Sequence, residues 1–213
     1  MKSLNIVAHP DDDLLFFSPD IFGDKLAYIY YVTMGDDGRG KAEWERKRLG
    51  LLYTYENYPN IRLVFGNIKS NSFRNGDKYG SLHSMWHGGK GEDIDNGECN
   101  RKILDYRIER LIDNLKPDII RTHNPDLKPQ IESEHDGDDH IDHIYTAKFV
   151  QKAAVKHFAP VYAYTGYPIR NLPSNISSEL KTEMWRRYQA TDPMVVGEQW
   201  DVALDKCYKK RIQ

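Results

Sequence analysis

The stretch IVAHPDDDLL, residues 6–15, sets one histidine and three consecutive carboxylates directly behind a short apolar run. Far downstream, EHDGDDHIDHIYTAKFV carries His140 and His143 three positions apart at the start of a helical pattern, so the two imidazoles fall on nearly one face. Two imidazoles so placed can reach one ion. A divalent metal held by His, Asp and His with an open position is a catalytic arrangement, because structural zinc fills all four places with protein ligands. Each cluster taken singly also has a plainer reading. Asp11 or Asp12 suits a helix N-cap ahead of Leu14 to Phe17, GDDG at 35–38 suits a tight turn, and the acidic run before Asp142 suits a solvated loop. Those readings leave His9 unexplained.

Chemistry of this kind needs elements that bring residues 9–13 and 140–143 together. Short runs with Ile, Val or Tyr alternate with longer stretches of helical periodicity, the mark of an α/β domain. The pattern predicts a mostly parallel sheet of about five strands flanked by helices. The strands are Leu4 to Ala8, Leu26 to Thr33, Ile61 to Phe65, Asp118 to Thr122 and Pro160 to Tyr164. Helices are expected over Glu43 to Tyr55, Asn100 to Leu115 and Ile141 to His157, with two more closing the chain. Leu49, Leu52 and Tyr53 in the first, and Ile103, Tyr106, Ile108, Leu111, Ile112 and Leu115 in the second, form stripes that should pack on the sheet. Residues 67–97, rich in Gly, Asn, Ser and Lys, run longer than connections usually do, as a lid or a hairpin excursion. In open α/β sheets the loops after parallel strands gather into one crevice. His9 to Asp13, MGDDGRG (34–40), HNPD (123–126) and TGYPIR (165–170) are such loops.

With 213 residues, the chain supports one sizeable core and is read as one domain, 1–213. Lys plus Arg number 30 against 32 Asp plus Glu, which leaves no basic face for nucleic acid or an anionic membrane. The N-terminus MKSLNIVAHP lacks the unbroken apolar stretch of a signal peptide or membrane span, and a cytoplasmic location is the expectation. Cys99 and Cys207 stand apart without metal-binding or disulfide spacing.

AHPDDD followed far downstream by HIDH resembles the PIG-L, or LmbE-like, family of zinc-dependent N-acetylglucosamine de-N-acetylases. That family's pattern is a His-Pro-Asp-Asp-Glu loop after the first strand, a Thr-x-Gly loop after the second, a helix carrying an arginine, and a His-x-x-His helix start. VTMGDDGRG fits the second loop, ERKRLGLL the arginine helix and KPDIIRTHNPD the later strand. AYTGYPIRNLP is similar to loops in relatives that act on glycopeptide-type substrates. The resemblance spans most of the chain and implies a Rossmann-like fold with the active site at the C-terminal ends of the strands. Carried over, it makes His9, Asp12 and His143 the metal ligands, Asp11 the general base and His140 the second catalytic residue, oriented by Asp142. Arg46 is the implied substrate-binding arginine, with Arg48 the runner-up. Asp13 departs from the usual glutamate, and Leu49 stands where a glutamate follows Arg46.

The implied reaction removes an N-acyl group, most simply acetyl, from an amino sugar or its conjugate. An amide is a poor electrophile with a poor leaving group. A zinc ion, or iron(II) as the alternative, would activate water while an adjacent carboxylate takes its proton. His140, kept cationic by Asp142, would meet the oxyanion. Asp36, Asp37, Arg39, His123, Asn124 and Asp126 suit a hydroxyl-rich sugar, and Tyr164 and Tyr167 a stacked ring; Asp37, Asn124 and Tyr167 head that set. His83, Trp86 and His87 lie in the long loop, over the site or in an exposed turn. The expected partner is a small N-acyl amino sugar or glycoconjugate, with no nucleic acid and no membrane span; a homo-oligomer is compatible with this reading. The rival readings are a hydratase or a non-catalytic sugar or metal binder on the same fold, and, more remotely, a non-haem iron oxygenase.

Overall fold

Alternation at period two builds the centre of the sheet. In the second strand Tyr30 and Val32 bury on one face and Ala27, Ile29 and Tyr31 on the other; in the first, Leu4 and Ile6 oppose Val7. Strands buried on both faces need helices on both, which is the setting of parallel sheets. The computed structural model describes residues 1–36, 39–70, 80–130, 138–191 and 200–213. Its strands are β1 (Lys2–Val7), β2 (Leu26–Thr33), β3 (Ile61–Ile68), β4 (Lys90–Asp93), β5 (Gly97–Asn100), β6 (Ile119–His123), β7 (Val161–Tyr164) and β8 (Lys209–Arg211). They form one sheet in the order β5-β4-β3-β2-β1-β6-β7-β8. The five expected strands are its parallel centre. The β4–β5 hairpin and β8 add antiparallel edges that the expectation lacked. KGED, GECN and KKR carry no apolar alternation, so pairing rather than sequence makes them strands.

The helices are α1 (Lys41–Thr54), α2 (Gly80–Trp86), α3 (Arg101–Leu115), α4 (Ile141–Ala154) and α5 (Glu179–Thr191). Leu82 and Met85 of α2, Ile108 and Ile112 of α3, and Phe149 and Val150 of α4 bury on one face of the sheet. Leu51 of α1, Trp185 and Tyr188 of α5, and Phe16 and Phe17 bury on the other. The α1 stripe is corrected: Leu49, Leu52 and Tyr53 are 62%, 42% and 49% exposed, while Trp44, Gly50, Leu51 and Thr54 face inward. The cause is α5, packed so close that a Cβ on Gly50 would meet Thr191 Oγ1 at 2.5 Å. In α3, Leu104 joins Ile108 and Ile112 inside; Leu111 and Leu115 pack at the core's margin, and Ile103 and Tyr106 turn outward. Of the two closing helices expected, the described residues hold α5 and only a short 3-10 turn at Asp201–Ala203.

Outside residues 71–79, the long connection is α2 plus the β4–β5 hairpin. Trp86 meets Phe149 edge to face at 5.2 Å, and His87 Nε2 lies 3.1 Å from the Tyr145 hydroxyl. These residues pack along α4, against Tyr145 and Phe149. No helix among the described residues is long and apolar enough to cross a membrane. From the centre of the sheet, β2 and β3 lead one way from β1, and β6 and β7 the other. The switch point between β1 and β6 is where such a sheet opens a crevice.

Candidate active site

The β1 strand delivers His9 to Asp13 to that crevice, and the local fold frees the carboxylates. Residues 13–17 form a single π-turn whose N-cap, Asp12, makes no capping bond with its side chain. Asp12 Oδ2 accepts instead from the His9 backbone N–H at 2.7 Å, and its Oδ1 lies 3.1 Å from His143 Nε2. His9 Nδ1 is 3.4 Å from Asp12 Oδ2. One donor atom from each of His9, Asp12 and His143 falls within 4.8 Å of the others, all three residues being buried. Donors around a tetrahedral zinc with bonds of 2.0–2.2 Å stand about 3.4 Å apart, so the set fits a divalent cation.

Each histidine of the set is held from behind by a carboxylate, the arrangement that fixes tautomer and ring direction in metal sites. His143 Nδ1 meets Asp139 Oδ1 at 2.7 Å, and His9 Nε2 meets Asp142 Oδ2 at 3.2 Å. Asp139 Oδ1 also accepts the backbone N–H of His140 at 2.9 Å and of Tyr167 at 3.0 Å. That closeness requires Gly166, where a Cβ would stand 2.4 Å from both Asp139 oxygens. Sequence reasoning missed Asp139, although a carboxylate four residues before His143, one helical turn back, was the available signal.

Electrostatics follow from burial and these partners. Burial works against a charged His9, but Asp12 and Asp142 outweigh it and raise its pKa to about 9. Burial likewise opposes charge on His143, and Asp12 and Asp139 hold it well above the usual imidazole value. Burial would push Asp12 up, yet His143, His9 and His123 keep it well below the carboxylate range. Two imidazoles that retain protons beside an ionised carboxylate mark a place where positive charge is favoured. Asp11 is raised by burial to about 7; the nearby Lys47 charge and, more weakly, that of His9 oppose the rise, and Asp12 adds to it.

His140 needs correction. Burial and the His9 charge lower its pKa to about 3, so it is neutral rather than cationic. Its Nδ1 accepts the Asp142 backbone N–H at 3.1 Å, while the Asp142 carboxylate is 3.9 Å from that nitrogen and bonded to His9. Asp142 therefore orients His140 through its main chain, and the ring proton stays on Nε2.

Most of the expected sugar contacts serve the loops themselves. Asp36 accepts from Ser70 Oγ at 2.7 Å, Asn124 Oδ1 from the Asp126 N–H at 3.2 Å, and Asp126 pairs with Lys210 at 2.6 Å. Asn124 nonetheless sits buried at the end of β6. His123 is buried behind the ligand set, its ring stacked on His143 at 4.0 Å and its Nε2 3.2 Å from Asp12 Oδ2. Burial and His143 lower its pKa to about 4. Tyr164 stacks on Phe17 inside the core, and Asp13 accepts from Tyr55. Arg46 and Arg39 both pair with Glu43, at 2.5 and 3.3 Å, and Arg48 lies over Trp44 and Phe65. Lys47 of α1 lies close enough to the His9–Asp13 loop for its charge to act on Asp11. At Gly35, whose φ is +60°, a Cβ would touch Pro10 at 2.7 Å, Lys47 Nζ at 3.4 Å and His9 Cβ at 3.5 Å. Tyr167 does reach the site, with its ring 5.1 Å from His143 and 6.0 Å from His140. Asp37 and the acidic stretch 131–137 lie outside the described residues.

Residues 4–154 match the PIG-L family, described as GlcNAc-PI de-N-acetylase. The chain therefore belongs to the PIG-L family. No match is found among curated proteins. Among solved structures, the zinc-inhibited form of teicoplanin deacetylase Orf2 superposes with a TM-score of 0.61 at 14% identity, covering 95% of this chain and 89% of that one. N,N'-diacetylchitobiose deacetylase from Pyrococcus horikoshii gives 0.59 at 16% identity over 95% and 75%. GalB, the 4-carboxy-2-hydroxymuconate hydratase from Pseudomonas putida, gives 0.57 at 13% identity over 95% and 83%. At these identities the likeness is one of fold.

Proposed function

We propose that the protein is a metal-dependent hydrolase that removes an N-acyl group, acetyl in the simplest case, from an amino sugar or amino-sugar conjugate. The observation that carries this reading is the buried His9–Asp12–His143 donor set with Asp11 and His140 beside it, in a chain of the PIG-L family. A zinc or iron(II) ion held there would supply Lewis acidity to the amide carbonyl and to the attacking water. Asp11, next to the ligand Asp12 and kept ionised by the cation's charge, takes the water's proton as the C–O bond forms. His140 donates a hydrogen bond from Nε2 to the carbonyl oxygen as negative charge develops on it. Asp11 then returns its proton to the departing nitrogen, and the C–N bond breaks to give amine and carboxylate. Asp139 and Asp142 fix the two ligand imidazoles.

Acetate release from N-acetylated sugars, monosaccharides through glycosides, tests the reading. Release is expected to stop with chelator, return with zinc, and fall by about 10²- to 10⁴-fold in Asp11→Asn with metal content intact. Full activity in that variant would remove Asp11 from its role. GalB's fold keeps a hydratase as the second reading. A hydratase would release no acetate from any member of the panel.

A further inference from the structure

Beside the histidine cluster, three side chains form a shelf that the proposed reaction leaves unused. From His143 the rings step outward to Tyr167 at 5.1 Å and from Tyr167 to Trp200 at a further 5.1 Å. The Arg170 guanidinium lies 5.4 Å from the Tyr167 ring centroid and 5.5 Å from that of Trp200. The shelf is tied to the ligand set, because the Tyr167 N–H is bonded to the same Asp139 oxygen that holds His143. Arg170 Nε donates to the Tyr167 carbonyl at 3.3 Å. Its terminal Nη groups carry no bond to a carboxylate among the described residues, and the side chain is exposed. A guanidinium aimed by its Nε and stacked on rings keeps its fork for a planar acid.

We propose that Tyr167, Trp200 and Arg170 form a subsite for the aglycone of the substrate, selecting amino sugars joined to a group with a flat apolar face and a carboxylate. The proposal rests on the deacylase reading for its substrate. The apolar face lies on Trp200, and the carboxylate accepts from the Arg170 Nη groups, while the acylamino group reaches Asp11 and the ligand set. A purely structural role for Arg170, clasping the 3-10 turn Tyr167–Asn171 to Trp200, would give no preference among aglycones.

The test compares four glycosides of N-acetylglucosamine: methyl, phenyl, 4-carboxyphenyl and its neutral isostere 4-carbamoylphenyl. KM is read for those turned over, and affinity by calorimetry on the zinc-loaded protein for those that are not. The carboxyphenyl compound is expected to bind about tenfold or more tightly than the carbamoyl one, as a charge-assisted hydrogen bond allows. Arg170→Met should erase that gap without an equal loss of binding for the methyl glycoside, and Trp200→Ala should erase the advantage of phenyl over methyl. Equal binding of the carboxyl and carbamoyl compounds, or a preference that survives Arg170→Met, overturns the subsite. If no compound is hydrolysed, the deacylase reading fails by itself, and the calorimetric affinities judge the subsite by the same criterion. Failure of all four to bind overturns it as well.

Discussion

Asp11 carries a backbone φ of 114°, a region in which a non-glycine residue stores about 1–3 kcal/mol of strain. Its carboxylate is also buried, which raises its pKa to about 7. Strain and desolvation thus converge on the proposed base, and the stability it costs can be separated from the chemistry it does. Asp11→Gly and Asp11→Ala should both be inactive, but glycine adopts positive φ freely. Chemical denaturation is expected to find Asp11→Gly more stable than Asp11→Ala by about 1 kcal/mol or more; equal stabilities would mean that the backbone is not strained there. The grouping of His9, Asp11 and Asp12 was legible because all three follow one apolar strand. The charge on His140 was not, since it depends on the His9 charge and on a depth of burial that no local spacing encodes.

Two elements hold the ligand set in place: the N-terminal turn of α4, carrying His140 and His143, and the loop after β7, whose Gly166 lies against Asp139. An alanine at Gly166 would put its Cβ 2.4 Å from both Asp139 oxygens. Gly166→Ala should therefore shift Asp139, loosen its hold on His143, and weaken zinc binding by about 10- to 100-fold, the usual cost of losing a partner behind a ligand. Gly50→Ala is the control, because its Cβ would meet Thr191 at 2.5 Å and Tyr188 at 3.1 Å, between α1 and α5, and no carboxylate that holds a ligand. It should lower stability through overpacking yet leave zinc affinity alone; equal losses of affinity in both variants would assign the effect to general destabilisation. The parallel strands were readable because each carries a short run rich in Ile, Leu, Val or Tyr, buried almost throughout in β1 and β2. The inward face of α1 was not, because α5 decides it: Leu49, Leu52 and Tyr53 make the better stripe, but the close approach at Gly50 turns Trp44 and Leu51 inward.

Across the whole molecule, the donor set joins residues 9 and 12 to residue 143, and without metal it carries protons. With His9 raised to about 9 and His143 well above the usual imidazole value, both rings are protonated near pH 7. Ligation needs them neutral, so metal uptake must release protons. Apparent zinc affinity should rise with pH from 6 toward 9, with close to two protons released per ion near neutrality, as calorimetry in buffers of different ionisation enthalpy would measure. Release of no protons would mean that these rings do not ligate. The sequence by itself determined the alternating α/β order, the five parallel strands and the two clusters with donor chemistry, because hydrophobic period and residue type are local properties. Only the tertiary structure decided that Asp142 crosses to His9 while the nearby Asp139 serves His143, and that Lys47 lies by the loop while Arg46 pairs with Glu43. The His9–Asp142 contact joins segments more than a hundred residues apart, and the place of Lys47 depends on the rotation of a packed helix, which pairing and burial fix and local spacing does not.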